Sequence, residues 1–219
     1  MTAEAPQRYI QHPCYPEVVA VACAGLLHIV AEIALSEMAA RVYNAVASVG
    51  FLVHVIWRAR VTHGALRAWG MRRDNFWSGL FAQLGFGAVA TIAIVGYGLA
   101  INSLTLPWTF WMTVALYPAW GIAQQFALQN LIARNLTGVL SRPLAIAGAA
   151  AAIFAFAHYP RVDLVLLSLV AGFFFTLIYR RVPNLWAVGI VHGILGALAV
   201  YVVLNEDPGA TLWSLMFRP

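Results

Sequence analysis

Residues Phe76–Ile101 read FWSGLFAQLGFGAVATIAIVGYGLAI, a stretch without a single charged side chain. Crossing the hydrocarbon core of a bilayer takes about 20 apolar residues at a rise of about 1.5 Å each, and this stretch supplies them. Six windows of similar character surround it: Val18–Leu35, Ala39–Trp57, Trp108–Leu131, Leu144–His158, Leu164–Tyr179 and Leu185–Leu204. Leu144–His158 and Leu164–Tyr179 are short, and need the flanking tyrosine, proline and arginine residues to complete a crossing, as a tilted or re-entrant segment would. The expected fold is all-α, a polytopic membrane helix bundle of about seven transmembrane helices.

Composition leads to the same class. Of 219 residues 62% are hydrophobic and 10% charged, with a mean hydropathy of +0.79. A soluble domain carries about a quarter charged residues to solvate its surface, so an ordinary water-soluble enzyme is excluded. The apolar excess runs from about Glu17 to Leu204, so residues 1–219 read as a single integral membrane domain with membrane lipid as its first partner. The formal charge is +5 and every basic residue is an arginine. These arginines sit between apolar runs rather than on one soluble face, which excludes nucleic acid as a partner.

Their placement follows the positive-inside rule. Arg58, Arg60, Arg67, Arg72 and Arg73 follow the second window, Arg134 and Arg142 the fourth, and Arg180 and Arg181 the sixth; the alternate connections hold Arg41, no charge around Asn102–Pro107, and Arg161. The expected orientation has an N-terminal cytoplasmic segment 1–16 and the tail Asn205–Pro219 outside, in an inner or plasma membrane. Residues 61–73 (VTHGALRAWGMRR) mix apolar residues with arginine and read as an interfacial amphipathic segment on the anionic inner leaflet, or more plainly as a solvated linker. The first sixteen residues lack the charged-then-apolar order of a cleaved signal peptide, so the first helix is expected to stay. Cys14 and Cys23 form no CxxC motif.

Polar side chains within apolar windows are expensive and mark the bundle interior. Glu32 follows His28 by four residues, on one helix face, where the two form either a proton-handling or ligand pair or a self-satisfied structural pair. His54 and Gln83 read as lone interhelical hydrogen-bonding groups. The fourth window is denser: Tyr117–Asn130 (YPAWGIAQQFALQN) sets Gln124, Gln125, Gln129 and Asn130 close together. Helical spacing places Gln125 and Gln129 on one face. Pro118 frees a carbonyl and Gly121 permits a close backbone approach. His158 and His192 complete the set, so that three helices each offer polar side chains to one expected buried site built from Gln124, Gln125, His158 and His192. His28 and Glu32 are expected at or near it.

The order of these pieces resembles the CPBP family, the membrane-embedded CAAX-protease and bacteriocin-processing family. Its pattern is Glu-Glu-x-x-x-Arg, then Phe-x-x-x-His, then His-x-x-x-Asn on three successive helices. Phe154 and His158 match the second motif; His192 begins the third, with Gly196 in place of its asparagine. The stretch FFFTLIYRRVPNLW (Phe173–Trp186) is also similar, and the resemblance covers residues 118–200. It implies a CPBP-like fold and assigns Gln124, Gln125, His158 and His192 to catalytic motif positions, with Gln129, Phe154 and Gly196 among the surrounding binding positions. In active relatives a glutamate and the first histidine activate water, and the last histidine and asparagine stabilise the oxyanion. Here amides replace both glutamates and the arginine, and an amide exchanges no proton near neutral pH.

The reading favoured by these departures is a CPBP-like membrane scaffold, chaperone or complex subunit lacking glutamate-dependent proteolysis, with a hydrophobic or prenylated peptide or another membrane protein as partner. The alternative is an intramembrane protease or hydrolase working through His158 and His192, which as imidazoles also offer ligands to a divalent metal. A third is a pigment- or cofactor-binding subunit with histidine axial ligands. A small transporter is disfavoured, because neither inverted repeats nor charged coupling residues are visible.

Overall fold

The computed structural model describes residues 14–217. Residues 1–13 of the expected cytoplasmic segment 1–16 lie outside the described residues. The described chain is all-helical: α1 Tyr15–Ala34, α2 Glu37–Val61, α3 Ala65–Ala68, α4 Phe76–Ala100, α5 Trp108–Phe126, a π-helical stretch Ala127–Ala133, α6 Arg134–Leu136, α7 Pro143–Phe156, α8 Val162–Arg181, α9 Leu185–Val202 and α10 Pro208–Phe217. It divides into two compact units, Met1–Arg72 with Phe126–Arg181, and Arg73–Gln125 with Val182–Pro219.

Five helices, α1, α2, α4, α8 and α9, are long and apolar enough to cross a membrane. The two remaining windows take other forms. The helix of the fourth window passes into the π stretch at Ala127, and that of the fifth is the 14-residue α7, about 21 Å long at the helical rise and shorter than a hydrocarbon core of about 30 Å. The chain is an integral membrane protein, and Val46, Val49, Leu52, Val53 and Ile56 of α2 form an exposed apolar surface.

Helix starts are written in the sequence. Ser36 accepts from the Ala39 N–H to cap α2, Asn184 accepts from Ala187 to cap α9, and Pro143 opens α7, where a missing N–H costs nothing. In the segment 61–73 the only helical turn is Ala65–Ala68, bounded by Gly64 (φ 76°) and Gly70 (φ 72°) in the left-handed region that glycine tolerates. The segment expected to be interfacial thus contains one short folded turn. Trp69 is buried, and its carbonyl accepts from Asn130 Nδ2 at 3.3 Å and Tyr179 Oη at 2.9 Å.

In the first unit the π stretch packs against α1, α7 and α8, and Leu128, Ile132 and Ala133 join Ile146, Ala150 and Phe154 in the core. In the second, α4 and α9 pack along their length, and Phe110 of α5 packs with Ala197, Leu198, Tyr201 and Val202. At the crossing of α5 and α9 an added Cβ on Gly193 would lie 2.6 Å from Pro118 Cα, and one on Gly121 would lie 2.8 Å from Gly193 N. Two helical backbones meet there with no side chain between them, as small residues permit in membranes.

Candidate functional site

That backbone contact sets the reach of the polar groups beside it. Gln124 and Gln125 stand one turn along α5 from Gly121, and His192 precedes Gly193 on α9. Side chains of their length therefore meet directly. Gln125 Nε2 donates to His192 Nδ1 at 3.0 Å, and His192 Nε2 donates to Gln124 Oε1 at 2.9 Å. Gln125 is fully buried, while Gln124 and His192 are half-buried. An imidazole that accepts at Nδ1 and donates at Nε2 is the neutral Nε2–H tautomer. Both ring nitrogens are engaged by amides, which neither add nor remove charge.

Gln129 does not share this role. It lies in the π stretch Ala127–Ala133 that follows α5. Its Nε2 donates to Thr176 Oγ1 of α8 at 3.3 Å, within the first unit. Gly196, where the family pattern has asparagine, leaves room for a side chain: the nearest atom to an added Cβ is Tyr117 Cδ1 at 3.7 Å.

His158 belongs to the first unit. It lies just beyond α7, with its Nδ1 3.0 Å from the carbonyl of Phe154 and its ring edge-on to the Phe154 ring at 5.0 Å. A carbonyl only accepts, so Nδ1 carries the hydrogen and Nε2 keeps its lone pair; no hydrogen bond engages Nε2 among the described residues. The two motif histidines are thus opposite tautomers. His28 and Glu32 are not a closed pair. Their nearest atoms are 3.9 Å apart, and Asn44 of α2 stands between them, accepting from His28 Nδ1 at 2.9 Å and donating to Glu32 Oε1 at 3.4 Å.

Among the described residues no group of three or more His, Cys, Asp or Glu side chains is placed to hold a metal ion. With its acceptor nitrogen filled by Gln125, His192 also presents no lone pair to a cation in this arrangement.

Sequence reasoning missed one cluster altogether. Glu17, 6% exposed at the start of α1, meets His54 Nε2 at 3.2 Å and Arg58 Nε at 3.3 Å through Oε1, and Arg134 Nη2 at 3.3 Å and Asn135 Nδ2 at 2.9 Å through Oε2. His54, expected to be a lone polar group, is part of this network. An acid at the edge of an apolar run was the available signal, but its partners come from residues 37 to 118 positions away.

Residues 106–198 match the family model described as Type II CAAX prenyl endopeptidase Rce1-like. This stretch is similar to the Rce1-like family. Within it fall Gln124, Gln125, Gln129, Phe154, His158, His192 and Gly196, the motif positions on which the resemblance to the CPBP family rests. The matched stretch begins just before α5 and ends within α9, and so includes the Gln124–His192–Gln125 clamp. No curated protein and no solved structure matches the chain significantly.

Proposed function

We propose that this protein uses the Rce1-like stretch to bind a hydrophobic or prenylated peptide segment, or another membrane protein, without glutamate-dependent cleavage, acting as a membrane scaffold, chaperone or complex subunit. The observation that carries this reading is the clamp on His192. Water activation needs a group that takes a proton near working pH, and Gln124 and Gln125 are amides at both glutamate positions. His192, at the position that stabilises the oxyanion in active relatives, spends its acceptor nitrogen on Gln125 and its donor on Gln124, so it is held in a closed neutral network. Such a network is compatible with a low-dielectric interior, where ionised groups without partners are costly. The arginine pattern supports the N-terminus in the cytoplasm of an inner or plasma membrane and the C-terminus outside.

One observation favours a second reading, a histidine-dependent hydrolase: the unengaged Nε2 of His158 is a basic nitrogen able to accept a proton. The two are separated by incubating purified protein with a photoreactive prenylated peptide and following capture and cleavage together. Capture of intact peptide, unchanged in His158→Ala, is the expected result. Robust cleavage by wild type that disappears in His158→Ala overturns the binding reading in favour of the enzyme.

A further inference from the structure

The Glu17 cluster is unbalanced in charge. One carboxylate faces two guanidinium groups as well as His54, so the group carries a surplus of at least one positive charge however the histidine titrates. The side chains of Arg58 and Arg134 are only 14% and 21% exposed. A guanidinium has five N–H donors in a rigid fork. Arg58 approaches Glu17 through Nε and Arg134 through Nη2. Neither Nη of Arg58 and neither Nε nor Nη1 of Arg134 has a protein acceptor among the described residues, and Arg134 Nε is fully buried. The other described acids of this unit give no relief, since Glu32, Glu37 and Asp163 stand near the end of α1, at the start of α2 and at the start of α8. Most of the donors on two largely buried arginines are therefore unspent, in a cluster already short of negative charge.

The missing partner is an oxyanion with several acceptor oxygens, the chemistry of a phosphate group, which guanidinium forks bind in preference to point anions. Its source is indicated by the surroundings. Arg58 lies in the last turn of α2, with Trp57 and Val61 beside it 56% and 59% exposed, and Val19 in the first turns of α1 is 59% exposed. Apolar surface of this kind takes acyl chains, so the arginines stand at the level where a lipid headgroup lies. We propose that Arg58 and Arg134, aligned by Glu17, form a site for the phosphate of an anionic lipid headgroup. Glu17 holds the two forks in place, and the lipid supplies the negative charge that the described residues around them do not.

The test uses the full chain in neutral detergent with phosphatidylglycerol, phosphatidylcholine or inorganic phosphate, reading retained lipid by native mass spectrometry and unfolding temperature in parallel. At about fivefold per arginine, two arginines give wild type a preference for phosphatidylglycerol over phosphatidylcholine of about 25-fold, which Arg58→Gln or Arg134→Gln lowers about fivefold. Arg181→Gln, an exposed arginine in the last turn of α8, leaves the preference unchanged. Equal retention of the two lipids by wild type overturns the proposal whether or not the variants fold. So does an Arg134→Gln variant that folds with its preference intact, or an equal loss in Arg181→Gln, which would mean diffuse surface charge. Inorganic phosphate that stabilises wild type alone and displaces the lipid reassigns the site to a soluble anion and overturns the lipid assignment.

Discussion

His192 donates from Nε2 to the amide oxygen of Gln124 at 2.9 Å, where a CPBP protease has a glutamate to pair with its motif chemistry. With Gln125 donating to Nδ1, the imidazole is locked as one neutral tautomer. Restoring a single acid places a carboxylate in this half-buried site without the arginine that accompanies the family motif, and burial then favours its protonated form. Gln124→Glu alone is therefore expected to leave cleavage of prenylated peptides at the wild-type background. The quadruple variant Gln124→Glu/Gln125→Glu/Gln129→Arg/Gly196→Asn is expected to gain cleavage about 10²-fold or more above it, the lower range for a general base. Cleavage by Gln124→Glu equal to that of the quadruple variant would show that the remaining substitutions are irrelevant.

The α5–α9 crossing makes a prediction about stability. Gly193→Ala forces a methyl group to within 2.6 Å of Pro118 backbone atoms, so the helices must separate, at a cost of about 1–3 kcal/mol for overpacking. Gly148→Ala meets nothing within 4 Å. Thermal unfolding in detergent should drop clearly for the first and stay within error for the second; equal melting of both would remove the backbone contact as the device that seats Gln124 and Gln125 against His192.

Glu17→Gln removes the only carboxylate in contact with Arg58 and Arg134 among the described residues. Breaking a buried ion pair by deleting one partner costs about 3–5 kcal/mol, whereas an exposed pair contributes about 0–1 kcal/mol. Glu37, paired with Arg41 at 3.1 Å and 89% exposed, is the control. Glu17→Gln should lower the unfolding temperature strongly and Glu37→Gln hardly at all. Similar small shifts in both would place the cluster at the surface in energetic terms.

Asp207, ahead of α10 and outside the spanning helices, connects stability to pH. Burial alone would raise its carboxyl, but hydrogen bonds from the Tyr201 hydroxyl, the Ala210 N–H, the Thr109 hydroxyl and the Gly209 N–H outweigh it and hold the pKa below the ordinary carboxylate range. A depressed folded-state pKa stabilises the fold above the unfolded-state value, and the contribution is lost as pH falls through the folded one. Hydrogen exchange in α10 should accelerate below about pH 4, the ordinary carboxylate range, beyond its intrinsic pH dependence. Asp207→Asn should show faster exchange at neutral pH and no such acid step. An identical profile in the variant would mean that another group governs this helix.

Orientation is open to direct labelling. In a Cys14→Ser/Cys23→Ser background, single cysteines at Arg67 and Thr105 flank α4, a helix able to cross the membrane once. The arginine pattern places Arg67→Cys on the cytoplasmic side and Thr105→Cys outside. Labelling of both from the cytoplasmic side would reject that orientation.

The sequence by itself determined the solvent and the elements. Long uncharged runs such as Phe76–Ile101 have only helical ways to satisfy their backbone in lipid, so an all-α membrane protein followed from composition and run length. The spacing of Phe154 from His158, and the order of Gln124, Gln125, His158 and His192, carried the family resemblance. Only the tertiary structure decided which polar groups meet. Helical spacing alone could not say that Gln129 donates to Thr176 and Gln125 to His192. The His28–Glu32 pair looked local until Asn44 came between its members from the next helix. Glu17 showed nothing in sequence to connect it with Arg58 and Arg134, which lie 41 and 117 positions away. Periodicity fixes which side chains a helix presents, because that depends on a local repeat; which partner receives them depends on how helices distant in sequence pack, and no local repeat encodes that.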